Sequence, residues 1–142
     1  MRTAVVDASV AVKWVVRQPL TDAAYRAIEQ FRLIAPSLIL AEIGNALWKY
    51  CRTGEIGAAS LPEIMNGLET RYFKTDPIDE AMSATALALA VDLDHPIYDC
   101  YYLAMAKRES VPIISEDRRL TQKARLAGFT VVALADIPES AQ

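Results

Sequence analysis

Four carboxylates dominate the chemical interpretation of this sequence: Asp7, Glu42, Asp99 and Asp117. Asp7 directly follows a short apolar run and Asp117 stands just past the end of another, whereas Glu42 and Asp99 interrupt apolar segments with helical spacing, where an unpaired charge is costly. Carboxylates that converge repel one another, so a site made from several of them needs a divalent cation. Oxygen ligands without histidine or cysteine favour Mg²⁺ or Mn²⁺ over zinc. Such an ion activates water and holds a phosphodiester in line for displacement. If the acids meet in the fold, they indicate phosphodiester hydrolysis.

Each acid also has an ordinary structural explanation. An aspartate that follows a strand often belongs to a turn or caps the next helix. Asp99 falls in the first turn of an expected helix, where its charge would complement the helix dipole. Glu42 shares a helix face with Asn45 and Lys49, so a contact within the helix is the alternative to a metal site.

The pattern of apolar residues predicts the elements that position these acids. Short runs rich in β-branched and aliphatic residues predict strands at 3–6, 33–35, 73–76, 111–114 and 129–132. Helical spacing, caps and prolines predict helices at 9–16, 21–31, 38–53, 61–72, 77–93, 96–106 and 118–125. We expect residues 138–142 to form a frayed tail.

Strands that alternate with helices predict a three-layer α/β/α sandwich with a central, mainly parallel sheet and right-handed crossovers. We expect one domain that covers residues 1–142. In such a fold, the carboxyl ends of parallel strands lie at one edge of the sheet, where ligands bind. Asp7 and Asp117 each follow a strand, so they should lie at the same edge.

Composition limits the remaining classes of protein. The chain is 53% hydrophobic and 23% charged, and no apolar run approaches the roughly 20 residues that span a bilayer. Without a leader pattern, a cytoplasmic location is expected. The net charge of −3 is unusual for a protein that binds nucleic acid, unless the acids are concentrated in one pocket that binds cations.

Histidine and cysteine contribute little to the expected chemistry. The single histidine, His95, precedes a proline at a helix start, where a cap or a surface position is expected. One histidine nearly excludes a zinc site or a Ser-His-Asp triad. Cys51 and Cys100 lie within helical patterns and match no metal-ligand spacing, so we expect buried thiols in a reducing compartment.

Four segments resemble, in order and spacing, the acidic motifs of the PIN-domain family: 5–9 (VVDAS), 41–47 (AEIGNAL), 96–104 (PIYDCYYLA) and 114–120 (ISEDRRL). The length and N-terminal start resemble its VapC-type members, the ribonuclease toxins of toxin–antitoxin modules. The resemblance implies an endoribonuclease that depends on Mg²⁺ or Mn²⁺. It also implies that Asp7, Glu42, Asp99 and Asp117 form the acidic set.

The resemblance extends to roles within the site. Asp7 and Asp99 would bind the main ion, Glu42 would be a ligand directly or through water, and Asp117 would orient a bound water or complete a second site. Small hydroxyl or polar side chains that brace the family's site match Ser9, Asn45 and Ser115. Cys100 departs from the small residue, usually alanine, that follows the third acid, which leaves catalysis unaffected.

The expected partners are RNA, a second copy of the chain and a short DNA-binding antitoxin. Basic side chains near the motifs are candidates for holding RNA phosphates: Lys13, Lys49, Arg118 and Arg119. Apolar side chains expected at exposed helix positions favour a homodimer, as in the resembled family: Trp14, Trp48 and Tyr50. The antitoxin would place a basic side chain against the acids.

Two other functions fit part of the pattern. In a non-catalytic binding module the acids would serve only as caps and ion-pair partners. A phosphatase acting on small phosphate esters would use the same kind of metal site. The phosphatase is disfavoured because no glycine-rich phosphate loop or Asp-x-Asp motif follows the first strand, and position 9 is Ser9.

Overall fold

The computed structural model describes residues 1–139, so the last three residues of the expected tail lie outside the described part. Its strands are β1 (Arg2–Val6), β2 (Phe31–Pro36), β3 (Lys74–Asp76), β4 (Ile113–Ile114) and β5 (Val131–Val132). They form one five-stranded sheet in the order β3-β2-β1-β4-β5, and every pair is parallel. This confirms the predicted parallel α/β architecture.

The helices that connect the strands are α1 (Ala8–Val15), α2 (Thr21–Gln30), α3 (Leu38–Arg52), α4 (Leu61–Asn66), α5 (Leu68–Arg71), α6 (Glu80–Leu93), α7 (Ile97–Glu109) and α8 (Arg118–Leu126). Short 3₁₀ turns occur at Ala58–Ser60 and Leu134–Asp136. Within residues 1–139, no helix combines the length and the apolar character needed to cross a bilayer.

The predicted helix at 61–72 is interrupted at Gly67, so that α4 and α5 replace one continuous helix. Glycine inside a helix costs roughly 1 kcal/mol relative to alanine, which makes Gly67 the weakest point of this segment. The helix predicted from position 77 starts only at Glu80, because the Asp79 side chain accepts the Met82 backbone N–H at 2.8 Å. Phe31, expected at the end of a helix, instead begins β2 opposite Arg2.

The centre of the sheet positions the candidate site. Ala4, Val5 and Val6 of β1 are completely buried between neighbouring strands. Val6 pairs with Ile114 of β4, and the Asp7 backbone N–H then donates to the Ile114 carbonyl at 3.3 Å. The carboxyl ends of β1 and β4 therefore lie side by side, as the sequence predicts.

Trp14, expected at an exposed position, is buried. Its indole N–H donates to the Ala24 carbonyl at 2.9 Å, and its ring stacks on Tyr72 with 4.9 Å between centroids. The expectation is wrong because Trp14 lies on the face of α1 that packs against α2 and against the rings of Tyr72 and Phe73. Trp48 is 52% exposed, as expected, and Tyr50 is half-buried.

Candidate active site

Asp7 is the most buried of the four acids, with 4% of its surface exposed. It caps α1, because one carboxylate oxygen accepts both the backbone N–H of Ser9 at 3.1 Å and its hydroxyl at 2.5 Å. The other oxygen accepts the hydroxyl of Ser115 at 2.6 Å. Two hydroxyl groups, one after each of the neighbouring strands β1 and β4, thus fix the orientation of the Asp7 carboxylate.

The environment of Asp7 disfavours its ionised form. Burial raises the pKa of Asp7 from its ordinary value of 3.8 to about 7, against the lowering effect of the Ser115 and Ser9 hydrogen bonds. The negative charges of Asp99 and Asp117 raise the pKa further. At neutral pH this carboxyl group therefore needs a nearby cation to remain fully ionised.

Asp117 begins α8 on the neighbouring loop. One of its carboxylate oxygens accepts the backbone N–H of Leu120 at 3.1 Å, and its own backbone N–H donates to the Ser115 hydroxyl at 3.1 Å. Ser115 therefore joins Asp7 to the backbone of Asp117, and the Glu116 N–H donates to the Ser9 hydroxyl at 2.9 Å. Both strand-end aspartates are helix caps, and the cap of Asp117 engages one of its two oxygens.

Glu42 projects from α3 and is bound by another helix. The hydroxyl of Tyr102, a residue 1% exposed on α7, donates to Glu42 Oε1 at 2.5 Å. The alternative of a contact within α3 to Asn45 or Lys49 is wrong for the described residues, because Tyr102 is the hydrogen-bond partner. Burial raises the pKa of Glu42, the Tyr102 hydrogen bond lowers it, and the charges of Asp99 and Asp117 raise it.

Asp99 lies in the first turn of α7 and contacts His95 one turn earlier. His95 Nε2 is 2.6 Å from Asp99 Oδ2, and the His95 side chain is 3% exposed. The expected cap or surface position for His95 is therefore wrong. Asp94 adopts a left-handed backbone conformation with φ 50° and ends α6, and the chain then turns so that His95 points inward.

His95 and Tyr102 are the residues near the site that the sequence interpretation missed. Tyr102 lies three residues after Asp99 on the same face of α7, and His95 lies four residues before Asp99, just ahead of the helix. That spacing is the available signal, although it does not reveal which polar group each residue binds. Within residues 1–139, His95 Nδ1 is the one fully buried side-chain nitrogen or oxygen that lacks a hydrogen-bond partner.

The fold brings the four acids close enough for their charges to interact: Asp7 with Asp99 and Asp117, and Glu42 with the same two. Among the described residues, however, no three side chains of the His, Cys, Asp or Glu type are placed to hold one ion. Mg²⁺ commonly keeps several waters and takes one or two carboxylates, so an all-oxygen set of this kind fits its chemistry without a closed protein shell.

A groove of about 530 Å³ opens beside Glu42, and residues from α1 and α3 line it, including Ser9, Asn45 and Lys49. Lys49 is exposed at this groove, and Asn45 is exposed one turn after Glu42. The structure therefore places one predicted phosphate-binding lysine next to a predicted acidic residue, with open space between the elements for a ligand.

The other three basic candidates are not among the residues that line this groove. Lys13 Nζ donates to the Gln18 side chain at 3.3 Å. Arg118 and Arg119 are exposed in the first turn of α8, and Arg118 lines a separate cavity together with Arg125. Among the four predicted phosphate-binding residues, Lys49 therefore lines the same groove as a candidate acid, Glu42.

Comparison with known proteins adds three findings. Residues 4–126, which include all four acids, match a family described as the PIN domain. The chain is 29% identical over 122 residues to Ribonuclease VapC3 of Pyrobaculum aerophilum, covering 84% of this chain and 92% of that relative. It is 30% identical over 90 residues to Exonuclease VapC9 of the same organism, covering 62% of this chain and 64% of that relative.

A solved toxin–antitoxin complex from Klebsiella pneumoniae contains a chain of the same fold. The TM-score is 0.68 at 18% identity, and the match covers 93% of this chain and 98% of that chain. At this identity the similarity describes the fold.

Proposed function

The chain belongs to the PIN-domain family, and we propose on this basis that it is an endoribonuclease that uses Mg²⁺ or Mn²⁺ to hydrolyse RNA phosphodiester bonds. The observation that carries the proposal is the arrangement of Asp7, with its pKa of about 7, among other acids whose charges act on it. A cation is the partner that such a site requires. The names of the two curated relatives, a ribonuclease and an exonuclease, support nuclease chemistry.

Each acid has a part in the proposed reaction. Asp7 and Asp99 hold the main cation, with Glu42 as a ligand directly or through water, and Asp117 orients water or completes a second site. The cation supplies an activated water and charge stabilisation at the phosphate that is cleaved. The hydroxyls of Ser9 and Ser115 keep the Asp7 carboxylate oriented and favour its ionised form.

Lys49 is the proposed contact for an RNA phosphate next to the acids, because it is exposed in the groove that Glu42 also lines. Asn45, one turn after Glu42 in the same groove, is placed to hydrogen bond with the RNA or with water. Lys13, Arg118 and Arg119 would contact the RNA further from the cleaved bond.

We further propose that the protein is the toxin of a toxin–antitoxin pair, with a short DNA-binding antitoxin and a homodimeric state. The fold shared with a chain of a toxin–antitoxin complex supports the antitoxin. Cys51 and Cys100 are both free thiols, which agrees with a cytoplasmic location.

The test is cleavage of a labelled circular RNA, which an endonuclease opens and an exonuclease cannot attack. We expect cleavage with Mn²⁺, none with EDTA, and a loss of at least about 100-fold in Asp7→Asn and Asp99→Asn with unchanged circular dichroism. Asp92→Asn, which alters an exposed carboxylate of α6, is the matched control and should cleave normally.

Other outcomes would identify the rival functions. Cleavage of linear RNA from an end, with circular RNA intact, would replace the endonuclease with an exonuclease. Hydrolysis of p-nitrophenyl phosphate without RNA cleavage would favour the phosphatase. Inactivity on all three substrates in excess Mn²⁺ would favour the binding module and overturn the proposed activity.

A further inference from the structure

The hydroxyl of Tyr102 lies among the acids of the candidate site. Tyr102 follows Asp99 by three residues on α7, and its side chain is almost completely buried in the main core. Burial raises its pKa far above the usual range, and the negative charges of Glu42, Asp7 and Asp99 raise it further. The phenol therefore keeps its proton and serves as a hydrogen-bond donor to a carboxylate.

A phenol can donate a single hydrogen bond, and the Glu42 carboxylate accepts it. The distance from the Tyr102 hydroxyl to Glu42 Oε1 is 2.5 Å, a short bond of the kind that an ionised acceptor forms. The two residues are 60 positions apart in sequence, so the bond joins α7, which carries Asp99, to α3, which carries Glu42.

The Tyr102 and Glu42 side chains differ in conformational freedom. Core packing fixes the Tyr102 ring, whereas Glu42 is a longer, partly exposed side chain with more rotatable bonds. The rigid partner thus sets the position of the flexible one. The bond engages Oε1, and Glu42 also lines the groove between α1 and α3.

We propose that Tyr102 is a positioning residue of the site, whose hydroxyl holds the Glu42 carboxylate in the orientation that a divalent cation requires. This inference rests on the proposed metal-dependent function. It differs from a purely structural role, in which the hydroxyl only satisfies hydrogen bonding within a packed core and the affinity for a cation does not depend on it.

The experiment is a Mn²⁺ titration of the full-length protein, followed by isothermal calorimetry and by the electron paramagnetic resonance signal of free Mn²⁺. Tyr102→Phe retains the ring and removes the hydroxyl. Loss of a partner that orients a metal ligand typically weakens metal binding about 10- to 100-fold, and we expect a rise in Kd within that range.

Tyr101→Phe is the matched control. Tyr101 is the adjacent residue of α7, and its hydroxyl is also hydrogen bonded, at 2.8 Å from Ser83 Oγ on α6. Removal of this hydroxyl should leave the Mn²⁺ Kd within about twofold of wild type, as expected for a hydrogen bond away from the metal ligands.

A double-mutant cycle separates positioning from packing. In a Glu42→Gln background, where the carboxylate is gone, Tyr102→Phe should cause no further loss of Mn²⁺ affinity. An equal loss in both backgrounds would mean that Tyr102 acts through the core, and a wild-type Kd for Tyr102→Phe would mean that the hydroxyl has no role. Either result overturns the inference.

A second variant covers the case in which Tyr102→Phe does not fold. Glu42→Asp withdraws the carboxylate from the intact Tyr102 hydroxyl by one methylene, and it should weaken Mn²⁺ binding to a similar degree. Wild-type affinity in Glu42→Asp would overturn the inference. Absence of Mn²⁺ binding in wild type would overturn both the proposed metal-dependent function and this inference. Normal binding in wild type together with an unchanged Kd in Tyr102→Phe would overturn the inference alone.

Discussion

The carboxyl group of Asp7 occupies a position where burial opposes ionisation. Its pKa of about 7 lies above the ordinary value of 3.8, so between these pH values the folded protein binds a proton that the unfolded chain releases. The free energy of unfolding then falls as pH rises through this window, because stability is lost wherever the folded state binds more protons. The strand-end position that is useful for a cation is thus unfavourable for the metal-free fold.

Asp7→Asn should remove this pH dependence. In EDTA, we expect the variant to gain stability relative to wild type as pH rises from 4 to 8, by up to a few kcal/mol. Urea unfolding at a series of pH values measures the difference. Asp92→Asn should show no such trend, and a constant difference between Asp7→Asn and wild type across this range would contradict the raised pKa.

The four acids were accessible to prediction because each follows a strand or interrupts an apolar helix. The side chains that bind these acids, Tyr102 and His95, are harder to predict from the sequence. The bond between Tyr102 and Glu42 spans 60 residues of sequence, and the spacing of Tyr102 from Asp99 gives its helix face but not its partner on α3. His95 was interpreted from the proline that follows it, whereas the left-handed backbone of Asp94 decides where its side chain points.

Among the secondary-structure elements, the junction between α6 and α7 is hydrogen bonded by a lysine of α8. Lys123 of α8 donates to the carbonyls of Leu93 and Asp94 at 2.5 and 2.6 Å. These carbonyls belong to the end of α6, where the helix leaves acceptors unpaired and a positive charge is favourable. Lys123 therefore fixes the turn that leads to His95 and Asp99.

Lys123→Met retains most of the apolar stem and removes the donor, so it should lower the free energy of unfolding by about 1–2 kcal/mol. Lys107→Met, an exposed lysine on α7, should have little effect and serves as the control. Urea unfolding of the three proteins provides the comparison. Equal stability of Lys123→Met and wild type would show that water replaces the ammonium group at these carbonyls.

Element boundaries followed the sequence pattern less closely than element types did. The parallel sheet follows from short apolar runs alternating with longer helical segments, which is a property of the whole chain. The break at Gly67 and the start of α6 at Glu80 depend on single local interactions that compete with a longer helix. The difference in free energy between the longer helix and the interrupted one is about 1 kcal/mol, and the spacing of apolar residues does not reveal it.

At the level of the intact protein, the distribution of apolar side chains bears on assembly. Trp14 lies in the core, so it contributes nothing to a docking surface. Leu87 and Val91, four residues apart on α6, are 57% and 74% exposed, and Trp48 on α3 is 52% exposed. Leu87 and Val91, one turn apart, form the start of an apolar patch, and contiguous patches mark interaction surfaces.

We therefore expect a homodimer in solution. Light scattering coupled to size-exclusion chromatography at micromolar concentration should give twice the chain mass of 15.7 kDa. A monomer under these conditions would contradict the predicted assembly and would leave the exposed side chains of α6 available for the proposed antitoxin instead.

The stability of the whole protein should depend on metal in opposite ways for wild type and Asp99→Asn. Without metal, Asp99 adds a negative charge that acts on both Asp7 and Glu42. Asparagine removes this charge and retains a carbonyl oxygen that can accept the Nε2–H of His95, which now lies 2.6 Å from Asp99 Oδ2. In EDTA, Asp99→Asn should thus melt at the wild-type temperature or above it, since a functional site trades stability for activity.

With Mn²⁺ in excess the order should reverse. Wild type should gain the free energy of binding, roughly 2.7 kcal/mol at a hundredfold excess over the dissociation constant, and Asp99→Asn should gain less because it lacks a proposed ligand. If the acids are only caps and ion-pair partners, Asp99→Asn should instead melt at or below wild type, and Mn²⁺ should shift neither protein. Thermal melts of both proteins in EDTA and in Mn²⁺ distinguish these cases. A wild-type melting temperature that does not respond to Mn²⁺ would refute the clustered-carboxylate site itself, whatever RNA the protein encounters.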